Sequence, residues 1–331
     1  METGKIFKNF KFLSVFLLLI LFTLFLSSCK ENSTAPQELT DEEFMQKVIL
    51  KGYSGSQNDE DNLISQDSTD LDDGGAVYDN GTGMNPIDSL KRWGRKVTGV
   101  NVSLTFTWSG DTIVNVNVKR TITGNYIIIG WQNNQPDSVT KPYTEVFYRT
   151  IVFKRVDRTR YPRLNWRLYK VSMLSGGTTQ PQAGSSQVEI TKVDAYVNTN
   201  PPKTYTFYGP DFTQNVFTTR HFGGSGIPVI NRNTQVTLKV YTTSQQSATD
   251  YVAWHWAKNA FGFHRIPFTL ESQTGSGPYY RVYARTFNIY GDHVLGVFNG
   301  YVSASTHESL YDDDISKFAS TEVGSPYIVD Q

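Results

Sequence analysis

From Val97 onward the apolar residues recur at every second position. Val102, Leu104, Phe106 and Trp108 alternate with Asn101, Ser103, Thr105 and Thr107. Ser109-Gly110-Asp111 supplies a turn, and Val114, Val116 and Val118 alternate back. Successive side chains of a strand point to opposite faces, so this period commits the segment to a β-hairpin with one buried face. The same habit runs through the chain. Aromatic residues make up 14% of it, Tyr, Phe, Val, Thr and Ile crowd into short alternating runs, and long Ala/Leu/Glu helical patterns are missing. The fold class this predicts is mainly β, with antiparallel sheets.

Two helical signals precede the strands. Thr40-Asp41-Glu42-Glu43 reads as a capping box, with Phe44, Val48 and Ile49 at helical spacing and Gly52 as a stop, which predicts a helix over 41–51. Pro86 is placed to start a second short helix over 87–93. Between them, residues 54–83 are rich in Asp, Asn, Ser and Gly and too poor in apolar residues to offset their ordering entropy, so that stretch is expected to be mobile. Further strands are expected at 121–130, 143–156 and 164–174. Residues 175–187, SGGTTQPQAGSSQ, contain no large apolar side chain and read as a linker. Beyond it, strands are expected at 188–197, 204–208, 235–242, 251–257, 266–270, 279–289 and 294–304.

The organisation read from this pattern has five parts. Residues 1–28 are a leader; 29–85 are a tether, a short helix and the acidic segment; 86–174 form an α+β domain with a curved antiparallel sheet, on which the 41–51 helix packs; 175–187 are the linker; 188–331 form a β-sandwich. Two short helices followed by long strands ending in Asn165-Trp166-Arg167-Leu168-Tyr169-Lys170-Val171 resemble the cone-shaped α+β domains of the NTF2-like class. Trp254 on a middle strand and Tyr280-Arg281-Val282-Tyr283-Ala284 on a later one resemble the core Trp and Tyr-x-Val-x-Ala placements of immunoglobulin-like domains. The resemblance implies an immunoglobulin-like β-sandwich without the disulfide.

The N-terminus carries the clearest statement of location. Lys5, Lys8 and Lys11 precede an uncharged apolar run, too short to span a bilayer, that ends in Leu26-Ser27-Ser28-Cys29. That ending resembles the lipobox of bacterial lipoproteins, which implies cleavage before Cys29 and lipid on its thiol. Cys29 is the sole cysteine of the sequence, so no disulfide is expected. Lys30 is not the inner-membrane retention signal, and Lys30-Glu31 partly resembles the surface-export signal of Bacteroidota lipoproteins. The expected location is the outer membrane, with either the periplasmic or the cell-surface leaflet open to it.

Charge narrows the partners. With 31 basic and 31 acidic residues, nothing recruits nucleic acid by bulk charge. No catalytic constellation and no cofactor motif is visible. Gly223-Gly224-Ser225-Gly226-Ile227 beside His221 lacks the final glycine of a nucleophile elbow and reads as a loop. His221, His255, His264, His293 and His307 show no metal-type spacing, and the acidic run 67–75 does not match a calcium loop.

Two candidate binding features remain. Arg155, Arg158, Arg160 and Arg163, with Arg167, cluster at a strand tip suited to anions, or to pairing with the acidic residues 59–73. Strand parity, with Val252, Trp254, Tyr280, Val282 and Ala284 inward, places Tyr251, His255, Tyr279, Arg281, Tyr283 and Arg285 on one exposed face. The function read from these features is a membrane-anchored, non-catalytic binding or assembly module of the cell envelope, with an envelope protein as partner. The alternatives are a glycan-binding surface lipoprotein and a hydrolase with a pocket in the first domain.

Overall fold

A computed structural model describes residues 39–51, 89–259 and 262–331. The expected mobile stretch at 54–83, the acidic run 67–75 and the leader with Cys29 lie outside these residues. Helix α1 (Asp41–Lys51) forms where the capping box predicts it. Glu43 Oε2 accepts from the Thr40 amide at 2.7 Å and Thr40 Oγ1 from the Glu43 amide at 3.2 Å. The bond from the Thr40 amide holds the Glu43 carboxyl below its ordinary value.

Strands β1 (Ser89–Ser109), β2 (Ile113–Gln132) and β3 (Gln135–Arg155) make a long antiparallel meander. The expected 97–118 hairpin is its first turn. Expected strands at 114–118 and 121–130 are one continuous β2, and the expected 87–93 helix gives way to the start of β1. Leu90 and Trp93 bury on the sheet there, against the end of β2, and that burial outweighs the helix-start signal of Pro86. Asn133 and Asn134, with φ of 50° and 61°, close the β2–β3 turn, since asparagine tolerates the left-handed region that tight hairpins need.

The remaining strands are β4 (Trp166–Ser172), β5 (Leu174–Gln180), β6 (Val188–Val197), β7 (Lys203–Tyr208), β8 (Val216–Thr218), β9 (Val229–Asn231), β10 (Gln235–Ser244), β11 (Tyr251–Asn259), β12 (Gly262–Pro267), β13 (Thr269–Thr274), β14 (Tyr279–Asn288), β15 (Gly296–Ser305) and β16 (Ser320–Asp330). Short helical turns α2 (Pro162–Asn165), α3 (Gly184–Gln187) and α4 (His307–Tyr311) join them. An eleven-stranded sheet runs β1-β2-β3-β5-β16-β15-β11-β12, with β4 paired to β3, β8 to β4, and β9 parallel to β16. A five-stranded antiparallel sheet runs β13-β14-β10-β6-β7.

The expected division into two domains does not survive this topology. Thr40–Gln331 forms one compact unit. Residues 175–187, expected as a linker, contain β5, which lies between β3 and β16, and α3. Strands β11, β12, β15 and β16 join the sheet built by β1 to β5, so 188–331 do not make an immunoglobulin-like sandwich of their own. The individual strands after 188 fall close to where alternation put them; their partners do not.

The two sheets stack face to face. Val116, Ile151 and Phe153 of the large sheet meet Val193, Phe207 and Val240 of the small one, and Phe44, Met45, Val48 and Ile49 of α1 join the same core. The opposite face of the large sheet is also covered, because that sheet bends on itself. Arg265 of β12 lies 3.3 Å over the Trp93 ring of β1 and donates to the Trp93 carbonyl at 3.1 Å. No ladder joins β1 to β12 among the described residues, so the bend is not a closed barrel.

Candidate ligand cavity and buried polar clusters

Between the sheets, beside β9, lies a cavity of about 90 Å³. Its walls include Ala195, Val236 and Leu238 from the small sheet and Trp254, Val302 and Tyr327 from the large one. All alternate inward on their strands, and Trp254 faces inward as parity predicts. The Trp254 ring lies flat on β15 because residue 300 is glycine: a Cβ there would come within 2.2 Å of the ring. Asn288, Tyr290, His293 and Ser325 add a few polar residues to its lining. His293 Nδ1 is 2.7 Å from the Val294 carbonyl and its ring sits edge-on to Phe298, which fixes the imidazole. This cavity was not legible in the sequence, because it needs the register of two sheets at once.

The inside of the bend holds a second feature that sequence reasoning missed. Arg95 of β1 meets Glu145 of β3 at 3.3 Å and also bonds Glu322 and, at 2.9 Å, Ser320 of β16. All four residues are buried. Burial works against the Arg95 charge, but Glu145 and Glu322 overcome it and hold the guanidinium well above its ordinary pKa. Such a network suits a strand-register lock, since breaking it strands a charge in the interior.

Beside it, His255 stacks on Tyr301 at 4.2 Å and its Nε2 lies 2.8 Å from Ser303 Oγ. Burial first, then the positive Arg265 and Arg95, push the imidazole well below its ordinary value, so the ring is neutral at physiological pH. A Ser–His pair is what a hydrolase would need, yet both residues are buried and neither lines the cavity between the sheets. Lys141 donates to the carbonyls of Glu308 and Lys317 at 2.8 and 2.9 Å. Burial lowers its pKa to about 8 despite nearby Asp312, Asp314 and Glu308.

The candidate face at Tyr251, His255, Tyr279, Arg281, Tyr283 and Arg285 is corrected by the fold. Strand β11 belongs to the large sheet and β14 to the small one, so the two are not neighbours. Tyr251 and His255 do point away from Val252 and Trp254, but into the bend, where Tyr251 meets Trp93. On β14 the parity is reversed: Tyr280 is exposed while Arg281 and Tyr283 are buried. Arg281 Nη1 donates to Asp250 Oδ2 at 2.6 Å, its Nη2 to the carbonyls of Gln246 and Ser247, and its Nε to Gln273 Oε1. Ser244 Oγ and Tyr283 OH also donate to Asp250. This saturated pair fixes the crossover between the sheets. Burial raises the Asp250 carboxyl, with Arg281 pulling the other way.

The outer face of the small sheet carries tyrosines instead. Tyr208 and Tyr241 flank Lys192 in register, and Lys192 Nζ lies 3.8 Å from the Tyr241 ring centroid and 2.8 Å from Asp194. Tyr196 and Tyr280 are exposed on the same face.

The arginines do come together. Arg155 bonds Asp41 of α1 at 2.6 Å and stacks over Trp166 at 4.6 Å, Arg158 pairs with Asp111, and Arg160 and Arg163 flank the Tyr161 ring at 4.6 and 6.0 Å. Among the described residues, no group of three His, Cys, Asp or Glu side chains is placed to hold a metal ion. No protein-family model, curated protein or solved structure matches the chain.

Proposed function

We propose that this chain is a lipid-anchored lipoprotein of the bacterial outer membrane whose β body is a non-catalytic binding module, taking a small apolar ligand between its sheets. The cavity carries the reading. Protein interiors pack with few voids larger than a water molecule, so an apolar-walled space of about 90 Å³ between packed sheets is an exception that a ligand would account for. Apolar walls keep such a space dry, so an apolar group fills it where water does not. The few polar residues of its lining suit the other end of an amphiphile. The lysines, apolar run and Cys29 of the N-terminus support the anchor.

Native mass spectrometry of the protein purified from its own host's envelope tests the ligand. A bound species that is lost on extraction with organic solvent is the expected result; the bare chain mass alone contradicts it.

A glycan-binding reading is favoured by a different observation, the Tyr208–Lys192–Tyr241 row on the flat outer face, since sugar rings stack on aromatic faces. A glycan array on the mature chain, repeated with Tyr208→Ala and Tyr241→Ala, tests it. Specific binding lost in both variants supports this reading, and an array without binding removes it.

A further inference from the structure

The arginine-rich end of the body is also the end where the N-terminal chain joins it. Asp41, the first residue of α1, is held by Arg155, and Trp108 Nε1 donates to Glu42 at 3.1 Å. Directly beyond Arg155 the chain enters a loop built to a fixed shape. Asn165 Oδ1 accepts from the Thr159 amide and hydroxyl at 2.6 and 2.8 Å, and Asn165 Nδ2 donates to the Thr159 carbonyl at 2.7 Å.

That loop presents an interfacial combination of side chains. Arg158, Arg160 and Arg163 are exposed, with the Arg158 side chain 69% accessible. Val156 and Leu164, 45% and 40% exposed, sit beside them, and Tyr161 packs between two of the arginines. Residues 156–164 carry three arginines against one carboxylate, Asp157, and Asp111 of the β1–β2 turn adds a second by pairing with Arg158. Guanidinium groups beside an aromatic ring and exposed aliphatic side chains match the headgroup region of an anionic bilayer.

Chain length brings that surface to the membrane. Only ten residues lie between Cys29 and Thr40, a span of at most about 40 Å. Strand β3 has 21 residues, about 70 Å along the strand, and the arginine tip follows its C-terminal end. A lipid at Cys29 would therefore hold Thr40, and with it the arginine tip that grips Asp41, within about 40 Å of the bilayer.

We propose that residues 156–164 are a membrane-docking tip that rests on the anionic headgroups of the bilayer holding the Cys29 lipid. The proposal rests on the lipid-anchor reading for its geometry, but its surface chemistry is testable without the lipid.

The test is cosedimentation of the soluble mature chain, lacking only the leader and Cys29, with phosphatidylcholine vesicles, either pure or containing about one third phosphatidylglycerol. Binding is expected to the anionic vesicles alone and to weaken as salt is raised. The triple variant Arg158→Gln, Arg160→Gln, Arg163→Gln is expected to bind them about tenfold or more weakly. The corresponding triple lysine variant is expected to retain most of the binding, because a bilayer reads charge. Unchanged binding by the glutamine variant overturns the proposal. So does equal loss in the lysine variant, which would mark a bidentate site for a discrete phosphate. The anchor is judged separately: a Cys29→Ala chain that is expressed in its own host, has lost its leader by cleavage elsewhere, and still stays in the carbonate-washed membrane pellet refutes the lipid and leaves the vesicle result standing.

Discussion

At the scale of single residues, the interior holds several charges, and each stays there only because it is paired. Arg281 and Asp250 are both fully buried, and every polar atom of that pair named above has a partner, so removing one member strands the other. Arg281→Ala is expected to cost about 3–5 kcal/mol in a urea melt, and a loss under 1 kcal/mol would mean the pair is not the pin of the crossover. Lys141 gives a pH signature. Its pKa is about 8 in the folded chain and 10.5 when solvated, so between these values the unfolded chain holds a proton the folded chain lacks. The stability contributed by this group therefore rises from pH 8 to 10.5. Relative to Lys141→Met, the wild type should gain in melting temperature over that interval; a parallel pH course for the two proteins contradicts the assignment. Sequence parity placed Tyr251 and His255 opposite Trp254 correctly. It failed at exposure, because nothing in the alternation of one strand reveals that its second face is covered by a bend of the same sheet.

Individual elements were more legible than their partners. The capping box at Thr40 and Glu43 forms, and most strands after residue 188 lie within a few residues of their alternation signals. Residues 175–187 show why the remainder was hidden. Their glycines read as flexibility, but a Cβ on Gly176 would meet the Val146 carbonyl at 2.2 Å, and one on Gly184 the Ser320 carbonyl at 2.0 Å. The glycines are there for close approach of strands, a property that depends on chain far away in sequence. In a loose linker, Gly176→Ala would be neutral or stabilise slightly by trimming unfolded-state entropy. In β5 it is expected to destabilise by about 1–3 kcal/mol, measured by chemical denaturation. Strand β16, which completes the large sheet between β5 and β15, was not expected at all. Its buried Ser320, Thr321 and Glu322 do not alternate by polarity: Ser320 and Glu322 join the polar network inside the bend, while Thr321 donates to the Val188 carbonyl on the other face.

At the scale of the whole molecule, strands from both halves of the chain build one large sheet, and the smaller sheet closes over it. That arrangement creates the space between Ala195, Val236, Trp254 and Tyr327. The account holds that the space is a ligand site, and filling it is the most direct test. Ala195 lines the cavity and is buried, so Ala195→Leu should occupy the void from within. Differential melting of wild type and Ala195→Leu, each stripped of ligand and then titrated with the species recovered from the native protein, gives one comparison. The account predicts that the stripped variant is more stable than stripped wild type by about 0.5–2 kcal/mol, and that the ligand raises the melting temperature of wild type only. A variant that is destabilised yet still stabilised by ligand to the same extent would contradict it.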